Sequence, residues 1–147
     1  MAFRNKIDTV WASFFAHMQE LDDGSSPPFR IVVGGETTPW QYEHPFLAVQ
    51  CLAAKPIERS GADKKWSVSC RVRVTVTATG PDGGLEAILE KIAVANDKIE
   101  IYKKPDGVAG FEDMDWSVTD TIEVDDGKAM TADSKFTFTV MVTRGAN

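Results

Sequence analysis

The side chains able to carry chemistry in this sequence are few and scattered. It has two histidines, His17 and His44, and two cysteines, Cys51 and Cys70, with no two of them at metal-ligand spacing. Glu112-Asp113-Met114-Asp115 gathers three carboxylates. A calcium loop needs oxygen ligands at alternate positions, a central glycine and a closing bidentate glutamate, and this run does not continue that way. Nucleophilic catalysis lacks its base, because neither histidine stands in a recognisable setting beside Ser or Cys. Paired carboxylates do acid–base work only in a pocket that shifts their pKa values, and the sequence marks none. Gly34-Gly35 has no Lys-Ser/Thr pair or helical pattern after it, so it predicts a turn rather than a phosphate cradle. The expectation is therefore no enzyme, with no catalytic, cofactor-binding or metal-binding residues. Both cysteines occupy apolar strand positions and are expected to be buried, reduced and inert.

Charge is more informative than chemistry. Arg59, Lys64, Lys65, Arg71 and Arg73 gather in the middle of the chain, while Glu112, Asp113, Asp115, Asp120, Glu123, Asp125 and Asp126 crowd the C-terminal third. The net charge of −6 and a pI near 4.9 argue against an electrostatic grip on nucleic acid or anionic lipid. Within one subunit the two groups are expected to lie apart. A subunit interface is therefore expected in which Arg59, Lys64, Lys65, Arg71 and Arg73 meet Glu112, Asp113 and Asp115 of an adjacent copy.

The elements that position these residues follow from periodicity. From Trp66 to Thr79 apolar residues (Trp66, Val68, Cys70, Val72, Val74, Val76, Ala78) alternate without a slip with Ser67, Ser69, Arg71, Arg73, Thr75, Thr77 and Thr79. Period two predicts a long strand with even positions buried and odd ones exposed. Phe46–Ala53 reads as a nearly continuous apolar strand, and Phe29–Val33 as a short one. Between Phe46–Ala53 and the long strand, Lys55–Lys65 reads as a polar, mobile connection.

Phe3, Ile7, Val10, Trp11, Phe14, Phe15, Met18 and Leu21 recur at spacings of three and four, predicting an amphipathic opening helix with His17 at the stripe's edge. Gly24 and Pro27-Pro28 stop it. A second helix spans Leu85–Lys98, with Leu85, Ile88, Leu89, Ile92, Ala95 and Ile99 on one face and Val94 opposite. Lys103–Gly110 reads as a loop. Trp116–Val124 is a strand interrupted at Asp120, and Phe136–Val142 closes the chain after a turn at Asp125–Lys128. The proline-bounded segment with Trp40, Tyr42 and His44 is either a binding patch or a loop folded over the core. Residues 1–147 thus predict one α+β domain: an antiparallel sheet with two helices packed on one face, in the order α-β-β-β-α-β-β. No apolar run is long enough to span a membrane, and the charged N-terminus does not resemble a secretory signal.

This arrangement resembles the tail-terminator (tail-completion) proteins of long-tailed bacteriophages, the lambda-type minor tail proteins. The matching pieces are the amphipathic opening helix, the strand entry Tyr42-Glu43-His44-Pro45-Phe46-Leu47, the charged gap, the alternating strand from Trp66, the helix Leu85–Lys98 and a two-strand finish. The segment Phe29–Tyr42 is not matched to that pattern. The resemblance implies a non-enzymatic assembly protein that forms a hexameric ring, caps the finished tail tube and offers a surface to the head. Its partners would be other copies of itself, the tail tube and neck or head-completion proteins. It would be found in the host cytoplasm during assembly and then in the virion tail or neck, with no cofactor, membrane or sequence-specific nucleic acid. The contrasting expectation is a small cone-like ligand-binding protein or enzyme with an apolar pocket.

Overall fold

The computed structural model describes residues 2–38, 41–60, 63–78, 83–104, 108–118, 122–124 and 127–143, with backbone alone at 2–6, 57–60, 63–64, 109–115, 117, 122–124, 127 and 142–143. Helix α1 covers Ala2–Gln19 and runs into a 3-10 turn, Glu20–Asp22. Then come β1 (Ile31–Gly34), β2 (Phe46–Ser60), β3 (Asp63–Thr77), α2 (Gly84–Glu100), β4 (Val108–Val118), β5 (Ile122–Val124) and β6 (Gly127–Thr143). The sheet order is β1-β2-β3-β6-β4, with β5 pairing the start of β6. Four long strands, β2, β3, β6 and β4, make its body, and their pairings are antiparallel.

The fold is α+β, as the pattern predicts, but two details differ. β1 runs parallel to β2, so the sheet is mixed rather than wholly antiparallel. The order is α-β-β-β-α-β-β-β in place of α-β-β-β-α-β-β. The difference arises where the sequence predicts a loop over Lys103–Gly110 and an interrupted strand over Trp116–Val124. A separate β4 instead begins at Val108, and β5 is a short strand of its own. Carboxylates at 112, 113 and 115 hide β4's alternation, and backbone pairing to β6 holds it through register shifts at Gly110/Glu112 and Glu112/Asp115.

The core lies on the even face of β3. Val68, Cys70, Val72, Val74 and Val76 are fully buried there, beside Leu47 and Val49 of β2 and Ala132, Phe136, Phe138 and Val140 of β6. Ile7, Val10, Phe14 and Met18 of α1 and Ile88, Ala95 and Ile99 of α2 cover the same face. At about 1.5–3 kcal/mol per large apolar side chain, this layer dominates the stability of both helices. Phe14 sits at its centre, edge-on to Tyr102 and Phe136 with ring centroids 5.2 and 5.5 Å away. His17 is a half-buried boundary residue whose Nε2–H donates to the Lys98 carbonyl at 2.6 Å. Beyond the 3-10 turn, Gly24 reverses the chain at φ +99°, and Asp22 accepts the Val32 amide at 2.8 Å to anchor β1.

The second helix is rotated from its expected face. Ile88, Ala95 and Ile99 are buried, whereas Leu85 and Leu89 are 57% and 51% exposed, and Val94 packs half-buried against the core. At roughly 100° per residue, Leu89 falls about 100° off the Ile88–Ala95–Ile99 line, farther than one sheet contact can cover.

The β2–β3 hairpin also runs further than expected. Lys55–Lys65 is not a polar connection: β2 continues to Ser60 and β3 starts at Asp63, with Lys55↔Ser67, Pro56↔Trp66, Glu58↔Lys65, Arg59↔Lys64 and Ser60↔Asp63 in register. Backbone pairing needs no apolar side chains, and Pro56 is tolerated on an edge strand beside a register shift at Pro56/Glu58.

Candidate functional site

The polar face of the sheet is built from odd positions of β3. Because facing residues of paired strands share a side, the register defines rows across the sheet. One row is Gln50–Arg71–Lys135–Asp115, and the next is Ala48–Arg73–Asp133–Ser117. Arg71 donates to Gln50 Oε1 at 2.7 Å. Arg73 is held more tightly: its Nε and one Nη donate to the two carboxylate oxygens of Asp133, the second bond at 3.0 Å. The Arg73 and Asp133 side chains are only 26% and 28% exposed. The hydrogen bond to Asp133 raises the Arg73 guanidinium pKa above its ordinary value against the opposing effect of burial.

Toward the β1 end this face is covered rather than wet. Thr75 is fully buried although it occupies an odd position. Phe46 lies opposite it in the ladder, and the Tyr42 and His44 rings pack on Phe46 at centroid distances of 5.5 and 5.7 Å. The aromatic segment therefore folds back over the sheet at Tyr42 and His44; Trp40 lies outside the described residues. Two hollows border this cover. One, lined by Gly35, Glu36, Thr37, Ala48, Gln50, Arg71 and Arg73, has about 10 Å³, room for about one water. The other is an open groove of about 440 Å³ between Arg30, Tyr42, Glu43, His44 and Thr77. His44 Nδ1 and Thr77 Oγ1 are 3.1 Å apart there.

The expected interface residues are partly brought together, in a way the sequence did not predict. Arg59, Lys64, Lys65, Arg71 and Arg73 do share the β2–β3 hairpin. Glu112, Asp113 and Asp115 are on β4, only two strands from β3 across β6, with Glu112 in the row of Thr137 and Ser69. At about 4.8 Å between strands, Arg71 and Asp115, which share a row, lie on strands roughly 10 Å apart, whereas Lys64 and its partner Arg59 stand five residues along β3 from the Glu112 row, about 17 Å away. The side chains of Arg59, Lys64, Glu112, Asp113 and Asp115 lie outside the described residues. Arg71 and Arg73 are half-buried and bonded within the chain, not freely exposed. Sequence reasoning missed their partners, Gln50 and Asp133. The available signal was the polar phase of Asp133 and Lys135 on the closing strand, but only the β3–β6 register converts that phase into a contact.

The cysteines separate in the same way. Cys70 is buried as expected, but Cys51 is exposed. β1 covers β2 only from Phe46 to Val49, so Cys51 already stands on a free edge. The two thiols hydrogen-bond each other. That bond lowers the Cys51 pKa to about 7, against burial and the Asp8 carboxylate, and pushes the Cys70 thiol up. Cys51 is therefore not the inert buried thiol that its apolar neighbours suggested.

Beyond Val49, among the described residues, β2 has no partner strand on its outer side, and Cys51 to Pro56 are all exposed. Leu52, extruded by the register shift at Cys51/Ala53, is 38% exposed on this edge. Among the described residues no group of three or more His, Cys, Asp or Glu side chains gathers to hold a metal, and no helix is long and apolar enough to cross a membrane. Searches against protein-family models and curated protein sequences return no match.

Proposed function

We propose that this chain is a non-enzymatic assembly protein, a ring-forming tail terminator that closes the head-proximal end of a long phage tail and joins it to the neck. The observation that supports this reading is the free edge of β2. Among the described residues it is paired from Gln50 to Ser60 on one side only, in a ladder that continues through β3 into β6. A long edge with open backbone donors and acceptors suits a contact repeated between identical copies around a symmetry axis. Lys55, Pro56 and the two register shifts make the edge irregular, which restrains indiscriminate pairing and leaves a specific fit to a neighbouring copy. A ligand-binding cone requires a deep apolar pocket, and among the described residues the larger of the two hollows is open and lined by Arg30, Glu43, His44 and Thr77 beside Tyr42.

The ring, its six-fold order, the tail tube and the neck proteins as partners, and assembly in the host cytoplasm followed by residence in the virion all belong to this proposal. The test is to add the purified protein to tail tubes growing from the tube protein of the same genome. Sedimentation then reads its own mass over a concentration range, and electron microscopy reads tube ends. The expected result is a ring at one tube end and arrested growth, whether or not rings form in free solution. Tubes that bind none of it and grow on unchanged would overturn the proposal.

A further inference from the structure

We propose that Cys51 and Cys70 form a reversible thiol–disulfide site, at which a small-molecule disulfide such as oxidised glutathione converts the two thiols into a cross-strand bond that staples β2 to β3. The pair is directly opposed in the ladder, Cys51↔Cys70. Facing residues of antiparallel strands have Cα atoms about 4.5 or 5.5 Å apart, inside the 4.4–6.8 Å span of a disulfide. Both side chains are on the same side of the sheet, close enough for each thiol to shift the titration of the other.

Access divides the roles. Cys51 is exposed and Cys70 is fully buried, so an incoming disulfide reaches Cys51 alone. A thiol attacks best when its pKa lies near the ambient pH, and hydrogen bonding from Cys70 brings Cys51 there. The titratable group facing the pair from α1 is Asp8, whose charge opposes the Cys51 thiolate and so moderates its formation. The Cys51 thiolate attacks one sulfur of oxidised glutathione, forming a mixed disulfide and expelling one glutathione thiolate. Cys70, losing its proton, then attacks the Cys51 sulfur of that adduct and expels the second glutathione. The two cysteine protons end on the two glutathione thiolates, and the two electrons lost by the cysteine pair reduce the glutathione disulfide. The bond falls where β2 leaves the cover of β1 and immediately before the register shift at Cys51/Ala53, so it locks the root of the free edge.

The experiment exposes the native protein to oxidised glutathione at neutral pH and reads intact mass and disulfide-linked peptides. The wild type should pass through a transient glutathione adduct to an intramolecular Cys51–Cys70 bond that dithiothreitol reverses. Cys70→Ala should stop at a stable adduct on Cys51. In that variant the thiolate fraction at pH 7 falls roughly fifteen-fold, offset about five-fold by higher intrinsic nucleophilicity, so adduct formation should slow about three-fold. Cys51→Ala, altered at an exposed position, should remain unmodified while folded. A wild-type adduct that persists, a disulfide between two copies, or equal modification of Cys51→Ala would each overturn the proposal.

Discussion

Replacing Arg73 by Glu tests the structure and the assembly reading at once. Opposite-charge contacts between copies would use Arg71 and Arg73 as exposed, interchangeable cations. The structure instead gives them different duties: Arg73 forks onto Asp133, while Arg71 bonds the neutral Gln50. Exposed ion pairs contribute about 0–1 kcal/mol, and breaking buried ones costs about 3–5. With both side chains about a quarter exposed, loss of the Arg73–Asp133 fork alone should cost about 1–2 kcal/mol. Arg73→Met, which keeps the apolar stem, isolates that amount. Arg73→Glu adds repulsion against Asp133 and should reach about 2–4 kcal/mol, given roughly 4 kcal/mol for unit charges at 4 Å in a surface-like dielectric, discounted for exposure. Arg71→Glu loses one bond to Gln50 at a half-buried site, but its carboxylate can accept from the Gln50 side-chain amide instead, so it should cost less than about 1 kcal/mol. In urea, with a slope of about 2 kcal/mol per M, the midpoint should fall by roughly 1–2 M for Arg73→Glu and under about 0.5 M for Arg71→Glu. A double-mutant cycle with Asp133→Asn should recover a coupling of about 1–2 kcal/mol between positions 73 and 133. Equal midpoints for the two charge reversals, or coupling near zero, would refute this account. Arg71→Glu is then the variant that probes ring formation, because its fold survives.

Phe14→Ala should cost about 3–5 kcal/mol in chemical denaturation, since Phe14 is fully buried and its ring joins α1 to Tyr102 and to Phe136 of β6. Leu85→Ser and Leu89→Ser, by contrast, should each change stability by less than about 0.5 kcal/mol, because α2 turns both side chains to solvent. Glu20 has its pKa lowered from 4.5, first by the hydrogen bond and then by the charge of Lys98. A carboxylate whose folded pKa is depressed contributes stability above its unfolded pKa and loses it as pH falls through the folded one. Wild type and Lys98→Ala should therefore differ at neutral pH and converge below pH 4.5, as read by thermal melting across pH. Hydrogen exchange should find protected amides in β3 from Asp63 onward and in the facing part of β2, where a flexible connection would exchange at once.

The parts of the fold legible in the sequence are those where one physical signal acts alone. The alternation through Val68–Val76 placed the core face because all of its even-numbered side chains are buried in one apolar cluster with residues of both helices. The stripe from Ile7 to Met18 placed α1 for the same reason. Legibility failed wherever backbone pairing, not side-chain burial, decides the conformation. The Lys55–Lys65 stretch is charged and contains Pro56, yet it continues a ladder because its neighbours already align it with β3. β4 carries carboxylates where an isolated strand would carry valines, yet β6 offers it an open row of partners. β1 itself was legible as a short strand, but its parallel direction was not, for a related reason. A strand's direction is set by how the chain returns to the sheet, which periodicity does not encode.

The site follows the same division. Charge segregation along the chain is visible in the sequence and survives in the structure as a basic hairpin and an acidic strand. Its meaning changes because β6 lies between them and brings Asp133 to Arg73 within one copy. Sequence separation is a poor guide to distance in an antiparallel sheet, where residues 60 positions apart face each other across a ladder. Arg73 therefore meets its electrostatic demand within one copy, and has little charge to offer a neighbouring one. The outer backbone of β2 beyond Val49, unpaired among the described residues, is the stronger candidate for the force that joins copies, since another strand answers its donors and acceptors better than side chains do. On this argument an interface between copies should depend weakly on salt and strongly on the edge, so inserting a second proline near Ala54 should impair assembly more than Arg71→Glu does.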